Sequence, residues 1–258
     1  MKYSDIIYEK KNGVGKVIIN RPEKANMFRY KTVEEMIDAF SDIRKDKNIR
    51  VAVLRGAGDR FFCIGGEKAD NTEFHYGNTL PIVDLHELID KLPKPVIAAV
   101  NGYAVGGGNV LQAICDFSIA SENAVFRQVG PSMGSYDGGF GTWYLEALIG
   151  RRKAKEMWML NRKYSAQEAL KMGLVNEVVP LKELDKRVEE WCKELMDKGP
   201  QALAAVKSVF YARHNGAAGM ARVAHDMLLQ YYLKTEESAE LTRAFQRKEK
   251  PNNDKFFK

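Results

Sequence analysis

Val96-Ile97-Ala98-Ala99-Val100 is an unbroken β-type run that leads directly into Asn101-Gly102-Tyr103-Ala104-Val105-Gly106-Gly107-Gly108. A strand ending on a glycine cluster implies a backbone that turns sharply or lets something approach it closely. A second cluster, Phe61-Phe62-Cys63-Ile64-Gly65-Gly66-Glu67, lies soon after the β run Val51-Ala52-Val53-Leu54 and its closing Gly56-Ala57-Gly58-Asp59. Further strands are expected at residues 17–20, after an Asn12-Gly13 turn, and at residues 117–120. Between them, Val33, Met36, Ile37, Phe40 and Ile43 form one helical stripe over residues 32–44, and residues 83–92 read as another helix. Strands alternating with helices predict an α/β layered fold with much parallel pairing.

After Trp143 the pattern is helical, over residues 145–160, 165–172, 181–198, 202–213 and 217–232. Ser165 and Glu168 form a capping-box pattern, and Gly173 is the expected stop. The division expected is a core over residues 1–195 and a helical region over residues 196–258.

Composition narrows the function classes. The formal charge of +6 is concentrated in two basic segments, residues 151–163 and 243–258. No zinc finger, helix-turn-helix or aromatic RNA-binding stretch accompanies them, so nucleic acid is not expected as a partner. No apolar run reaches the roughly 20 residues of a membrane helix, and the start carries no charged-then-apolar signal segment. Cys63, Cys115 and Cys192 are odd in number and widely spaced. That excludes a disulfide framework or cysteine zinc cluster and points to a reducing, cytoplasmic setting. His75, His86, His214 and His225 offer no pair at metal-ligand spacing.

The glycine clusters carry the chemistry. Each sits where a strand ends and a helical pattern soon begins, so backbone N–H groups there lack intrahelical partners. Two such clusters on neighbouring strands can aim two donors at one oxygen, as an oxyanion hole does. The plainer alternative is that they serve only turns and packing. Neither matches a P-loop or a GxGxxG fingerprint.

Several segments carry a resemblance. Asn20-Arg21-Pro22-Glu23-Lys24-Ala25-Asn26 looks like the NRPxxxN entry of the crotonase (enoyl-CoA hydratase/isomerase) superfamily. Phe62-Cys63-Ile64-Gly65-Gly66-Glu67 resembles its FCxGGD loop, and residues 94–108 resemble its most specific signature. Residues 166–176 resemble its AxEAxxxGLVN helix end. The resemblance runs in order from about residue 3 to 257. It implies a crotonase-type spiral of ββα units, a C-terminal helical trimerisation region and an acyl-CoA substrate. It also implies that the backbone N–H groups of Gly66 and Gly107 hold the thioester oxygen as it becomes an enolate.

Hydratases of this family activate water with two glutamates, and the matching positions here are Val110 and Gly130. Neither moves a proton, so ordinary hydration is not expected. Residues 128–139 instead resemble the QxGPxxGSxDGG segment of a subgroup containing 2-ketocyclohexanecarboxyl-CoA hydrolase and 1,4-dihydroxy-2-naphthoyl-CoA synthase. The resemblance makes Asp137 and Ser135 the expected acid–base side chains, although Ser-x-Asp alone also suits a cap or a turn. It suggests substrate contact by Tyr76, and a small anion such as bicarbonate near Gln128, Gly130 and Trp158. No tightly bound cofactor is expected beyond the CoA of the substrate. Its contacts, by resemblance, involve Lys24, Ala25, Arg29, Ile64, Gly65, Lys68, Tyr103 and Lys248. The naphthoyl-CoA synthases carry a tyrosine just before T-[DE]-E, where this chain has Leu233, with Tyr232 one residue earlier and about 100° away around a helix. That departure favours the ring-opening hydrolase over the synthase, while Ile64 and Glu67, where Ser and Asp are usual, leave the exact substrate open. A third reading is a non-catalytic acyl-CoA-binding or RNA-binding relative. A homo-oligomer, trimer or dimer of trimers, is expected.

Overall fold

The computed structural model describes residues 3–67, 81–136, 140–212 and 229–252. Two strands open the fold as a hairpin, β1 (Ile6–Lys11) and β2 (Val14–Ile19), paired antiparallel. Asn12 and Gly13 both have positive φ, which matches the right-handed twist of the flanking strands. Helix α1 (Tyr30–Lys45) follows and buries Val33, Met36, Phe40 and Ile43, the stripe expected from the sequence.

Next come repeating turns of strand, corner, strand and helix. The first comprises β3 (Val51–Gly56), β4 (Phe61–Cys63) and α2 (Ile82–Asp90). The second comprises β5 (Val96–Val100), β6 (Tyr103–Val105) and α3 (Gly107–Ile114). The third comprises β7 (Phe117–Ser121), β8 (Val125–Arg127) and α4 (Gly141–Ile149), with a 3₁₀ turn at Gly130–Ser132. Then follow α5 (Arg151–Leu160), β9 (Lys163–Ser165), α6 (Ala166–Lys171), β10 (Glu177–Val179), α7 (Leu184–Met196) and α8 (Pro200–Ala212). Helices α9 (Leu229–Leu233) and α10 (Glu236–Arg247) close the described chain.

First strands stack into one sheet and second strands into another. The orders are β1-β2-β3-β5-β7-β10 and β4-β6-β8-β9. Within them β2-β3-β5-β7-β10 and β4-β6-β8 are parallel. This is the spiral of ββα units expected from the resemblance. The larger sheet is covered on both faces. Leu184, Val188 and Cys192 of α7 pack against Val51, Val53, Ile97, Ala99 and Ile119, while the main core lies on the other side. Burial on both faces explains why β5 is wholly apolar.

The corners between the sheets are stacked too tightly for side chains. A Cβ at Gly102 would lie 2.1 Å from Arg60 O, and one at Gly56 would lie 2.3 Å from Phe62 O. Two fully buried asparagines join successive corners. Asn26 Nδ2 donates to Ala57 O and Phe61 O, while Asn101 Nδ2 donates to Gly58 O and Phe61 O. These two motif residues are therefore ties between turns of the spiral.

Several sequence expectations change. The helix expected over residues 145–160 is two helices, α4 and α5, broken at Gly150, which has φ +75°. The helix expected over residues 181–198 begins after Pro180 as a 3₁₀ turn, Leu181–Glu183, and continues as α7. Most of the helix expected over 217–232 lies outside the described residues. The capping box holds: Ser165 Oγ accepts from Glu168 N, and Glu168 Oε2 accepts from Ser165 N. All three cysteines are free and buried. Among the described residues no helix is long and apolar enough to cross a membrane.

Asp5 anchors the amino-terminal strand to α1. Its carboxylate accepts from Arg29 Nε at 2.7 Å, Arg29 Nη2 at 2.8 Å and Thr32 Oγ1 at 2.7 Å. The Arg29 bonds foremost hold it well below the usual carboxylate range. The stabilisation is therefore complete above the range where an unfolded aspartate titrates, and is lost as pH falls below it. Asp5→Asn is expected to lower unfolding stability at neutral pH by about 2 kcal/mol, and to reduce its loss on acidification. Denaturant titrations at pH 7 and pH 3 measure both.

Candidate active site

The two glycine clusters meet at one place. Gly65 has φ +100°, and a Cβ there would lie 3.1 Å from Gly107 N. Gly106 has φ +56°, and its Cβ position is 3.9 Å from Ile64 O. A Cβ on Gly108 would lie 1.9 Å from Cys63 O, so the first turn of α3 packs directly on the end of β4. Gly107 is the first residue of α3, so its N–H has no intrahelical acceptor. Gly66 pairs with Phe28 through a parallel bridge whose bonds use its neighbours. Phe28 N donates to Gly65 O and Glu67 N donates to Phe28 O. Among the described residues the N–H groups of Gly66 and Gly107 have no acceptor, and the Gly65 backbone that precedes the first packs closely on Gly107. Gly66 itself is exposed, so the site is open to a ligand.

Charged groups brace the loop. Arg21 Nη2 donates to Glu67 Oε2 at 2.9 Å, and Arg21 Nη1 donates to Met27 O at 2.6 Å. Glu67 thus ties the loop down rather than offering a free carboxylate. Cys63 is not a nucleophile: burial pushes its thiol up to about 12, so it stays protonated near neutrality.

A second wall comes from the loop after β8. Ser135 N donates to Gly130 O, closing the loop over Gly130. A Cβ at Gly130 would lie 3.1 Å from Tyr136 Cα and 3.2 Å from Ser135 O. Val110 is buried on α3. Helix α10 clamps the loop. Ser238 Oγ donates to Gly134 O at 2.5 Å and Thr242 Oγ1 donates to Met133 O at 3.1 Å. Thr235 is the N-cap of α10 and accepts from Ser238 N, which gives Thr235-Glu236-Glu237 a capping role. Tyr232 rests edge-on against Tyr136, with ring centroids 5.5 Å apart. Its hydroxyl donates to Glu237 Oε1, and burial together with that carboxylate pushes the phenol up to about 12. Leu233 and Tyr231 are exposed.

Gln128 is fully buried, and neither polar atom of its amide has a partner among the described residues. Trp158 Nε1 is buried and likewise has no partner among the described residues. Helix α5, which carries Trp158, packs against the Gly130–Ser132 turn. Orphaned buried donors cost about 1–3 kcal/mol each.

Of the other expected contacts, Lys24 is exposed on the Pro22–Lys24 turn and Ala25 adopts φ +51° behind it. Arg29 is committed to Asp5 through two of its nitrogens. The Tyr103 ring lies against Phe61, 5.8 Å between centroids. Lys248 is exposed at the end of α10 in the left-handed conformation. Lys68, Tyr76 and Asp137 lie outside the described residues. Motif reading found the glycines and missed Phe28, which belongs to no motif, and the Arg21–Glu67 brace.

A sequence profile described as enoyl-CoA hydratase/isomerase matches residues 9–255. The chain belongs to the enoyl-CoA hydratase/isomerase family. It is thus a crotonase-family enzyme that acts on an acyl-CoA. Among solved structures, it is similar to an enoyl-CoA hydratase from Mycobacterium avium subsp. paratuberculosis K-10 at 29% identity and a TM-score of 0.84, covering 95% of this chain and 100% of that one. An enoyl-CoA hydratase from Bacillus anthracis matches at 30% identity and a TM-score of 0.77, over 96% and 98% of the two chains. A carnitinyl-CoA hydratase from Mycobacterium avium matches at 26% identity and 0.84, over 97% and 98%. None of these three crotonase-family members is named as a ring-opening hydrolase or a naphthoyl-CoA synthase.

Proposed function

We propose that this enzyme opens the ring of an alicyclic 2-oxo-carboxyl-CoA. The observation that carries the reading is the absence of a carboxyl group at both positions where hydratases of the family hold their glutamates. Val110 is a buried aliphatic residue, and at Gly130 the Ser135–Tyr136 backbone crowds the space a side chain would need. The solved relatives named as hydratases therefore do not transfer their reaction to this site.

In the proposed reaction, Asp137, assisted by Ser135, accepts a proton from water as the water oxygen adds to the ring ketone. The bond between that carbon and the carbon next to the thioester then breaks. The ketone carbon becomes a carboxyl group, and the electron pair passes to an enolate whose oxygen accepts from Gly66 N–H and Gly107 N–H. Each such donor supplies about 3 kcal/mol of barrier reduction. Protonation of the enolate carbon gives a dicarboxylic monothioester. Tyr76 contacts the acyl group in this reading, and Lys24, Ala25, Ile64, Gly65, Lys68, Tyr103 and Lys248, with the free edge of Arg29, face CoA.

Bicarbonate is the small anion we assign to Gln128, Gly130 and Trp158, where it would supply a carboxylate-like proton acceptor. That donor set is also what favours the second reading, dihydroxynaphthoyl-CoA synthesis by Dieckmann-type ring closure. The proposed assembly is a homotrimer or dimer of trimers built through residues 196–258. Its support is the exposed face of α8, where Val206, Val209 and Phe210 fall at helical i, i+3, i+4 spacing.

The direct test is incubation with 2-ketocyclohexanecarboxyl-CoA, succinylbenzoyl-CoA and crotonyl-CoA, with thioester products followed by mass. The first is expected to gain one water and form an acyclic dicarboxylic monothioester. Consumption of succinylbenzoyl-CoA alone would establish the synthase reading, and hydration of crotonyl-CoA alone would overturn both.

A further inference from the structure

We infer that Phe28 is a positioning residue that sets the spacing of the two glycine amide donors. This rests on the proposal that Gly66 and Gly107 receive the thioester oxygen. Phe28 is almost fully buried, yet it belongs to none of the motifs that mark the site. Its ring lies under both glycines at once. A Cβ at Gly66 would stand 3.1 Å from Phe28 Cε2, and one at Gly107 would stand 2.8 Å from Phe28 Cζ. One aromatic edge is therefore in contact with the Cα of each donor residue, one from the β4 loop and one from α3.

The backbone of the same residue completes the connection. Phe28 N donates to Gly65 O at 3.0 Å, and Phe28 O accepts from Glu67 N at 2.8 Å, so Gly66 is held between two bonds to Phe28. The neighbours of Phe28 are fixed in turn. Arg21 holds Met27 O and Glu67, and Arg29 is held by Asp5. Phe28 thus sits where a braced backbone meets a rigid, planar side chain. An oxyanion hole works only when both donors aim at the same developing charge, and a 1 Å misplacement costs up to about 10²-fold in rate. A ring that both glycines touch is the spacer that keeps them together. Absence of Cβ at both positions lets the ring come this close, which gives those glycines a second reason to be glycine.

The experiment uses the intact enzyme and 4-dimethylaminocinnamoyl-CoA, whose absorption moves to longer wavelength when its thioester carbonyl is polarised. Wild type, Phe28→Leu and Phe28→Ala are compared by bound spectrum, by affinity for the chromophore, and by kcat and KM on the substrate identified above. The expected result is a red shift in wild type, a smaller one in Phe28→Leu and the smallest in Phe28→Ala. kcat is expected to fall by about tenfold or more in Phe28→Ala, with KM and chromophore affinity within about threefold. Where Phe28→Ala does not fold, judged by near-ultraviolet circular dichroism, Phe28→Leu decides by the same criteria. An unchanged red shift and unchanged kcat in the folded variant overturn the role of Phe28. Absence of any red shift in bound wild type overturns the glycine assignment itself, which separates the two claims.

Discussion

Asp137→Asn is expected to lower turnover by about 10³-fold while leaving acyl-CoA affinity within about threefold. The proposed reaction needs a group that takes a proton from water, and the described residues of the site offer few. The two positions where the family's hydratases carry glutamates hold Val110 and Gly130. The Tyr232 phenol is pushed up to about 12 and already donates to Glu237, so at neutral pH it is not a base. The Cys63 thiol is likewise held up to about 12 by burial. Glu67 is engaged by Arg21. In sequence Asp137 follows directly on Tyr136, three residues after Gly134, which α10 holds together with Met133. Asparagine keeps the shape and removes the basic lone pair. The acid limb of the kcat profile should disappear with it, because a carboxylate accepts a proton only when ionised. Ser135→Ala should cost about tenfold, the share of a helper rather than of the acceptor. Near-normal turnover in Asp137→Asn would remove Asp137 from the mechanism. Equal binding with no turnover on any thioester in the wild type would leave the non-catalytic reading.

How far the sequence carried this conclusion depended on the length of each signal. β5 occupies the expected run, Val96–Val100, because a strand buried on both faces has no polar interruptions to blur its ends. The stripe of α1 was equally plain, since five apolar positions repeat over about three turns. The second sheet was not legible. Its strands β4, β6, β8 and β9 are three residues each, too short to display alternation. They are defined by their pairing partners rather than by a pattern of their own. Gly150 shows the opposite failure: an apolar pattern ran through it, but its φ of +75° breaks the helix. In the site, the glycines were visible as motifs because their need for close approach is local. Phe28 was not, because what it does depends on contacts with residues far along the chain. Arg29 was assigned to CoA by the resemblance, and only the fold brings Asp5 to it.

Gly65→Ala is expected to reduce kcat by about 10²–10³-fold, the value of one oxyanion donor, in a protein that still folds and still binds CoA thioesters. Gly65 is not itself one of the two donors, which is why the substitution is informative. Its new methyl group would sit 3.1 Å from Gly107 N and 3.4 Å from Val105 O, across the approach to the Gly107 amide. The Gly66 and Gly107 peptides would both remain, but an oxygen between them would meet the methyl. Backbone strain adds to this, because φ +100° is a conformation an alanine rarely adopts, at a cost of about 1–3 kcal/mol. That cost predicts a lower Tm, so the stability loss must be measured beside the rate. Gly108→Ala provides the contrast. Its Cβ would fall 1.9 Å from Cys63 O, a clash between α3 and β4 that the fold itself must absorb, and loss of soluble protein is expected there. A folded Gly65→Ala enzyme retaining more than about half of wild-type kcat would mean that the Gly107 N–H does not face the reacting oxygen. The thioester would then have to be held elsewhere, and the enolate assignment would fall with it.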